Sequence, residues 1–229
     1  MTNKLSAVKI TKSEEDYLKA LFHLTFNNLS SKVGNNQLAD FLSLSPASVN
    51  NMVKKLKRKE WVLSERYGKL ELTKEGREIA LNLIRKHRLW ETFLYEYMNF
   101  TWDEVHEVAE QLEHVKSQKL IDELDRFMGY PKKDPHGDII PDKEGDYSAF
   151  KRIKLSELQI GDTCKIVAVN DNSIAFLQYV SKLGLILSSE IMIKDIFKFD
   201  YTLQIIFDGK EETVSQKFAE NVFVEFISK

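Results

Sequence analysis

The residues best equipped for chemistry in this 229-residue chain are imidazoles and carboxylates at helical spacing. His106, Glu110 and His114 stand at i, i+4 and i+8 with Glu113 between the last two, so a continuous helix would turn all four to one face. His87 and Glu91 repeat the i, i+4 pairing on the preceding segment. Such a face on otherwise apolar helices is costly unless a cation compensates it. The donors are nitrogen and oxygen without sulfur, which suits Mn²⁺ or, alternatively, Fe²⁺; Zn²⁺ or Co²⁺ would substitute in vitro. The one cysteine, Cys164, can build neither an internal disulfide nor a thiolate cluster. Any single pair also reads as a hydrogen-bonded surface pair, and it is their recurrence that points to a metal. A metal-dependent hydrolase is the rival from another class, but no nucleophile or separate general base stands out, and Gly34 and Gly68 are isolated rather than part of a phosphate loop. The expectation is a binding protein, not an enzyme, with no small organic substrate.

These side chains need two long helices to carry them. Glu75 to Met98 and Asp103 to Met128 both show apolar residues at helical spacing, too many for two lone helices to cover, so a dimer interface or shared bundle is expected. Ahead of them, Thr11 to Asn27 and Asn35 to Leu42 read as helices, with Thr11 or Ser13 capping the first. Ser45-Pro46 opens a third helix, with Val49, Met52, Val53 and Leu56 inward and Asn50, Asn51, Lys54 and Lys55 outward. Trp61–Arg66 and Lys69–Thr73 then alternate around Tyr67-Gly68 as a hairpin. Helix, helix, basic helix and hairpin is the winged helix-turn-helix pattern.

Composition agrees with that division. The chain is 43% hydrophobic, enough for real cores, and its net charge of −2 conceals an asymmetry. Residues 1–73 hold 12 Lys and Arg against seven acids, whereas the remainder is acidic. From Lys54 to Lys69 seven basic residues face only Glu60 and Glu65, on the third helix and the hairpin where phosphates would lie. Ser45, Ser48, Asn50 and Asn51 could reach base edges, with Lys54, Lys55, Arg66 and Lys69 on phosphates. No apolar run is long enough for a membrane span and the N-terminus lacks a signal-peptide core, so a cytoplasmic protein without membrane contact is expected. Tyr130 to Tyr147, with three of the four prolines, reads as a linker. Residues 151–229 read as four or five strands around a short helix at Ser173 to Lys182, a small SH3-like barrel.

RKHRLWETFL (Arg85 to Leu94), VHEVAEQLEHVKS (Val105 to Ser117), DPHGDIIP (Asp134 to Pro141), SEEDYLKALFHL near the N-terminus and LTKEGREIA (Leu72 to Ala80) together resemble the diphtheria toxin repressor family of metal-activated transcriptional regulators. The resemblance spans essentially the whole chain, in the long form with a C-terminal SH3-like, FeoA-like domain. It implies a mainly α fold with small β parts in three domains: a winged helix-turn-helix at 1–73, a helical metal-binding and dimerisation domain with linker at 74–150, and the SH3-like β-barrel at 151–229. It also implies a homodimer on a double-stranded DNA operator. Carried over, the primary regulatory site would be Asp16, Glu110, Glu113 and His114, and the ancillary site His87, Glu91 and His106. Carboxylates at 16 and 110 match the manganese-responsive branch. A second acidic ligand found in small manganese regulators is replaced by Lys19, which favours two separate mononuclear sites. Asp171, the one carboxylate in the Asn170-Asp171-Asn172 loop, is the candidate ligand from the C-terminal domain. His136 is read as a structural hydrogen bonder and His23 as packing.

Overall fold

The computed structural model describes residues 9–27, 33–64, 68–145, 147, 152–170 and 173–228. Arg66 and Asp171, both singled out above, lie outside the described residues. The chain divides into two compact units, the first comprising Met1–His87, Leu112–Ser117 and Pro141–Tyr147, and the second Arg88–Gln111, Gln118–Ile140 and Ser148–Lys229.

In the first unit, α1 (Lys12–Asn27), α2 (Asn35–Leu42) and α3 (Pro46–Arg58) precede a hairpin of β1 (Val62–Ser64) and β2 (Leu70–Leu72), paired antiparallel from Val62↔Leu72 to Ser64↔Leu70. Thr11 caps α1 reciprocally: its hydroxyl accepts from the Glu14 amide at 3.4 Å, and its own amide donates to Glu14 Oε2 at 2.9 Å. Pro46 sits at the first position of α3, and the Ser45 hydroxyl accepts from the Ser48 amide at 3.2 Å. We expect Ser45→Ala to cost about 1 kcal/mol of stability, read as a lower urea midpoint at unchanged slope. Leu18, Leu21, Phe22, Leu38, Val49, Leu56, Trp61 and Leu70 form a buried core. Burying Val49, Val53 and Leu56 leaves Ser45, Ser48, Asn50, Asn51 and Lys54 exposed on the opposite face of α3.

The first long helix forms as read, α4 (Lys74–Tyr97). The second does not run continuously from Asp103 to Met128. It breaks into α5 (Val105–Leu112) and α6 (Gln118–Phe127), with a turn closed by the Val115 amide on the Leu112 carbonyl at 3.1 Å. Glu113 and His114 therefore leave the helix axis just where the i, i+4 rule would have kept them in line with His106 and Glu110. In the second unit, Leu89, Ile121, Leu124 and Ile140 form a small core beside Trp90, Phe93 and Met128. Tyr95, Tyr97, Met98, Leu120 and Phe127 remain exposed.

Also in the second unit, six strands make an antiparallel sheet, β3 (Ile153–Lys154), β4 (Thr163–Val169), β5 (Glu190–Ile196), β6 (Leu203–Phe207), β7 (Lys210–Val214) and β8 (Val222–Ser228), in the order β3-β8-β4-β5-β6-β7. Helices α7 (Ile174–Leu183) and α8 (Gln216–Ala219) cover its buried core of Cys164, Ile166, Ile191, Ile193, Ile205 and Val224. Burial pushes the Cys164 thiol up to about 12, which makes it an inert packing residue. Six strands exceed the four or five expected: β7 (KEETV) is a charged edge whose sequence carries little apolar alternation.

Tyr130 to Tyr147 is not a free linker. Asp134 Oδ1 accepts from the amides of His136 and Asp138, both at 2.9 Å, folding DPHGD into a tight turn. The Val169 amide of β4 donates to the His136 carbonyl at 2.9 Å, and Arg152 Nη1 donates to Asp138 Oδ1 at 2.6 Å. Polar turn chemistry that reads as a spacer is here tied into the sheet.

Candidate metal centre

His114 is the hub of a cluster in the first unit. Its Nδ1 lies 2.8 Å from Glu15 Oε2, and its Nε2 lies 3.1 Å from Asp16 Oδ1 and 3.6 Å from Glu113 Oε1. Asp16, Glu113 and His114 each offer one ligand atom, all within 4.8 Å of one another. Glu113 turns its other oxygen to Lys19 Nζ at 2.7 Å and His87 Nδ1 at 2.5 Å. Burial raises the Glu113 pKa, but the His87 hydrogen bond and the Lys19 ammonium outweigh that and hold it below the usual carboxylate range. Asp16 moves the other way: burial and the Glu113 charge raise it against the pull of His114, Lys12 and Lys19. Glu15, which the sequence reading did not single out, also receives Lys116 Nζ at 2.9 Å. Acids gathered on one imidazole, with ammonium groups already drawn to them, form a site whose charge suits a hard divalent cation.

The second unit holds another group. Glu91, Asp134 and His136 are all buried, with one ligand atom from each within 4.8 Å of the others. His136 Nε2 lies 2.7 Å from the Trp102 carbonyl, which can only accept, so the ring proton sits on Nε2. The lone pair of neutral His136 is then on Nδ1, which is buried with no hydrogen-bond partner among the described residues and lies 3.9 Å from Glu91 Oε2. A backbone carbonyl fixing the tautomer while the other nitrogen faces carboxylates is the arrangement of a metal-ligating imidazole. The expected hydrogen bond of His136 is present, and the ring also faces acids. The sequence signal was DPHG itself, masked by its linker-like composition.

The remaining site residues fall as follows. His106 Nδ1 is 3.2 Å from Glu91 Oε1, and its Nε2 is 3.5 Å from Glu110 Oε1. Glu110 is exposed and pairs with His106. His87 is buried, with Nδ1 on Glu113. His23 packs edge-on to Phe22. Lys55 Nζ lies 3.1 Å from Glu14 Oε1, and Lys69 pairs with Glu71, so two lysines read as phosphate contacts have carboxylate partners here.

Three family models match the chain in succession: "Iron dependent repressor, N-terminal DNA binding domain" over residues 9–70, "Iron dependent repressor, metal binding and dimerisation domain" over 73–142, and "FeoA domain" over 153–226. The HTH-type transcriptional regulator MntR of Geobacillus kaustophilus is 32% identical over 124 residues, covering 54% of this chain and 86% of that protein. The iron-dependent repressor IdeR of Mycobacterium tuberculosis is 27% identical over 166 residues, covering 69% and 71%. A solved manganese-dependent transcriptional repressor in complex with manganese superposes with a TM-score of 0.84 at 30% identity, over 93% of this chain and 100% of that one. With a winged helix, acid–imidazole clusters and these relatives agreeing, the chain belongs to the diphtheria toxin repressor family of metal-dependent, DNA-binding transcriptional repressors, which are regulators and not enzymes.

Proposed function

We propose that this repressor is activated by Mn²⁺, acts as a cytoplasmic homodimer on a double-stranded operator, and controls genes of metal uptake. The observation that carries the reading is the convergence of Asp16, on the first helix of the DNA-binding module, with Glu113 and His114 from the turn after α5. A bound divalent ion would supply the positive charge that holds these acids together. The chain's own residues do the rest: His87 and Lys19 orient Glu113 by its outer oxygen, and Glu15 holds the His114 ring by Nδ1.

We assign a second site to Glu91, Asp134 and His136, with His106 and Asp171 as further donors. Asp171, which lies outside the described residues, is the ligand we propose from the C-terminal domain. The exposed aromatic rings of Tyr97 and Phe127, 5.0 Å apart, suit the dimer interface, and the domain limits we propose are 1–73, 74–150 and 151–229. Ser45, Ser48, Asn50 and Asn51 are assigned to base edges, with Lys54, Lys55, Arg66 and Lys69 nearest phosphates.

Manganese is favoured over iron by the all-oxygen-and-nitrogen donor set, while Fe²⁺ is the second reading because iron-dependent repressors are among the relatives. Anaerobic titration of operator binding with each ion tests the choice. We expect half-maximal binding at lower free Mn²⁺ than Fe²⁺, and a shift of that order toward Fe²⁺ in Asp16→Met, where a thioether replaces a hard oxygen donor. An Fe²⁺ preference in the native chain would overturn the assignment.

A further inference from the structure

Three successive acids open α1, and about 100° of helical rotation per residue forces them toward different surroundings. Glu15 and Asp16 meet His114, as described. Glu14 faces the other way and is fully buried. Its Oε1 lies 2.7 Å from Lys59 Nζ and 3.1 Å from Lys55 Nζ, and its Oε2 accepts from the Thr11 amide. Lys55 belongs to the last turns of α3, the DNA-reading helix, and Lys59 caps its C-terminus. Lys59 also donates to the Lys9 carbonyl at 3.2 Å and lies 4.6 Å over the buried Trp61 ring. One helical turn of α1 thus holds the metal cluster on one side and the recognition helix on the other.

We propose that Glu14 is the positioning residue through which occupancy of the Asp16–Glu113–His114 site sets the placement of the recognition helix, an inference that rests on the metal-sensing reading above. A buried carboxylate ion-paired with two lysines through one oxygen and hydrogen-bonded to a backbone amide through the other is a short link between the two helices. Movement of the first turn of α1 at Asp16 is carried to Lys55 and Lys59, since Glu14 sits two residues away in the same turn. Without the carboxylate, α1 can respond to the ion while α3 does not follow.

The test uses the full chain and two readouts, Mn²⁺ affinity of the free protein and operator affinity in saturating Mn²⁺ and in chelator. For Glu14→Gln the Mn²⁺ affinity is expected to stay within about twofold of native, while the Mn²⁺/chelator ratio of operator affinities falls from about tenfold or more to about threefold or less. Lys59→Gln, at a partly exposed position, should lower the same ratio. The double variant should be no worse than the lower single, because both remove one link. If Glu14→Gln weakens binding equally with and without metal, so that the ratio keeps its native value, the residue is merely structural and the proposal falls. Independent, additive losses in the double variant would also overturn it. A native chain that shows no Mn²⁺ enhancement would instead sink the metal-sensing reading, and this inference with it.

Discussion

Replacing His114 by alanine is expected to abolish metal-dependent operator binding. In the native chain, saturating Mn²⁺ should raise operator affinity at least about tenfold over chelator, a coupling of about 1.4 kcal/mol or more. In His114→Ala the two affinities should coincide. The imidazole supplies the nitrogen ligand of the Asp16–Glu113–His114 group and touches Glu15, Asp16 and Glu113 together. Its removal leaves the Glu15, Asp16 and Glu113 carboxylates without the imidazole they share, with Lys19 and Lys116 among the nearby cations. The ligand set is then both incomplete and more repulsive. Fluorescence anisotropy of a labelled operator in Mn²⁺ and in chelator measures the effect. An undiminished enhancement in the variant would move metal sensing away from this cluster.

Gly137→Ala should produce the largest loss of stability among single substitutions at the sites. Gly137 has φ +86°, and a Cβ there would stand 2.1 Å from the Val167 carbonyl oxygen and 2.8 Å from Ala168 Cα. Both are backbone atoms of β4, which cannot swing aside as a side-chain tip would. The left-handed conformation costs a residue with a Cβ about 1–2 kcal/mol, and overpacking adds about 1–3 kcal/mol. A loss of about 3 kcal/mol lowers Tm by roughly 6–12 °C for a chain of this length. The same turn carries Asp134 and His136, so the variant should also bind Mn²⁺ with reduced stoichiometry. Calorimetry and metal analysis of the full chain check both effects, and a Tm within a degree of native would show that β4 yields at little cost.

The two acid–imidazole clusters were only half legible in the sequence. Donor types, their rarity and their helical spacing identified metal chemistry, and the apolar stripes identified the helices that carry it. The i, i+4, i+8 alignment of His106, Glu110 and His114 requires a helix that continues past Leu112. The chain turns at Glu113, and that turn sends Glu113 and His114 to α1 while His106 stays with Glu91. Nor could spacing choose between Glu15 and Asp16, which are neighbours of similar chemistry; His114 has two ring nitrogens and takes one acid on each.

What the sequence determined by itself were the properties that act over a few residues. Thr11 and Ser45 cap their helices because a hydroxyl reaches an amide three residues on, Pro46 starts α3, and the basic run from Lys54 lies opposite a buried apolar face. Only the tertiary structure decided which distant groups meet. Lys19 on Glu113, Glu14 on Lys55 and Lys59, and His136 with Glu91 and Asp134 join residues 41 to 94 positions apart, or pair a turn with a helix. The physical reason is that charge and hydrogen-bonding capacity belong to the residue, whereas the partner that satisfies them is chosen by packing, which brings together elements whose order along the chain says nothing of their contact.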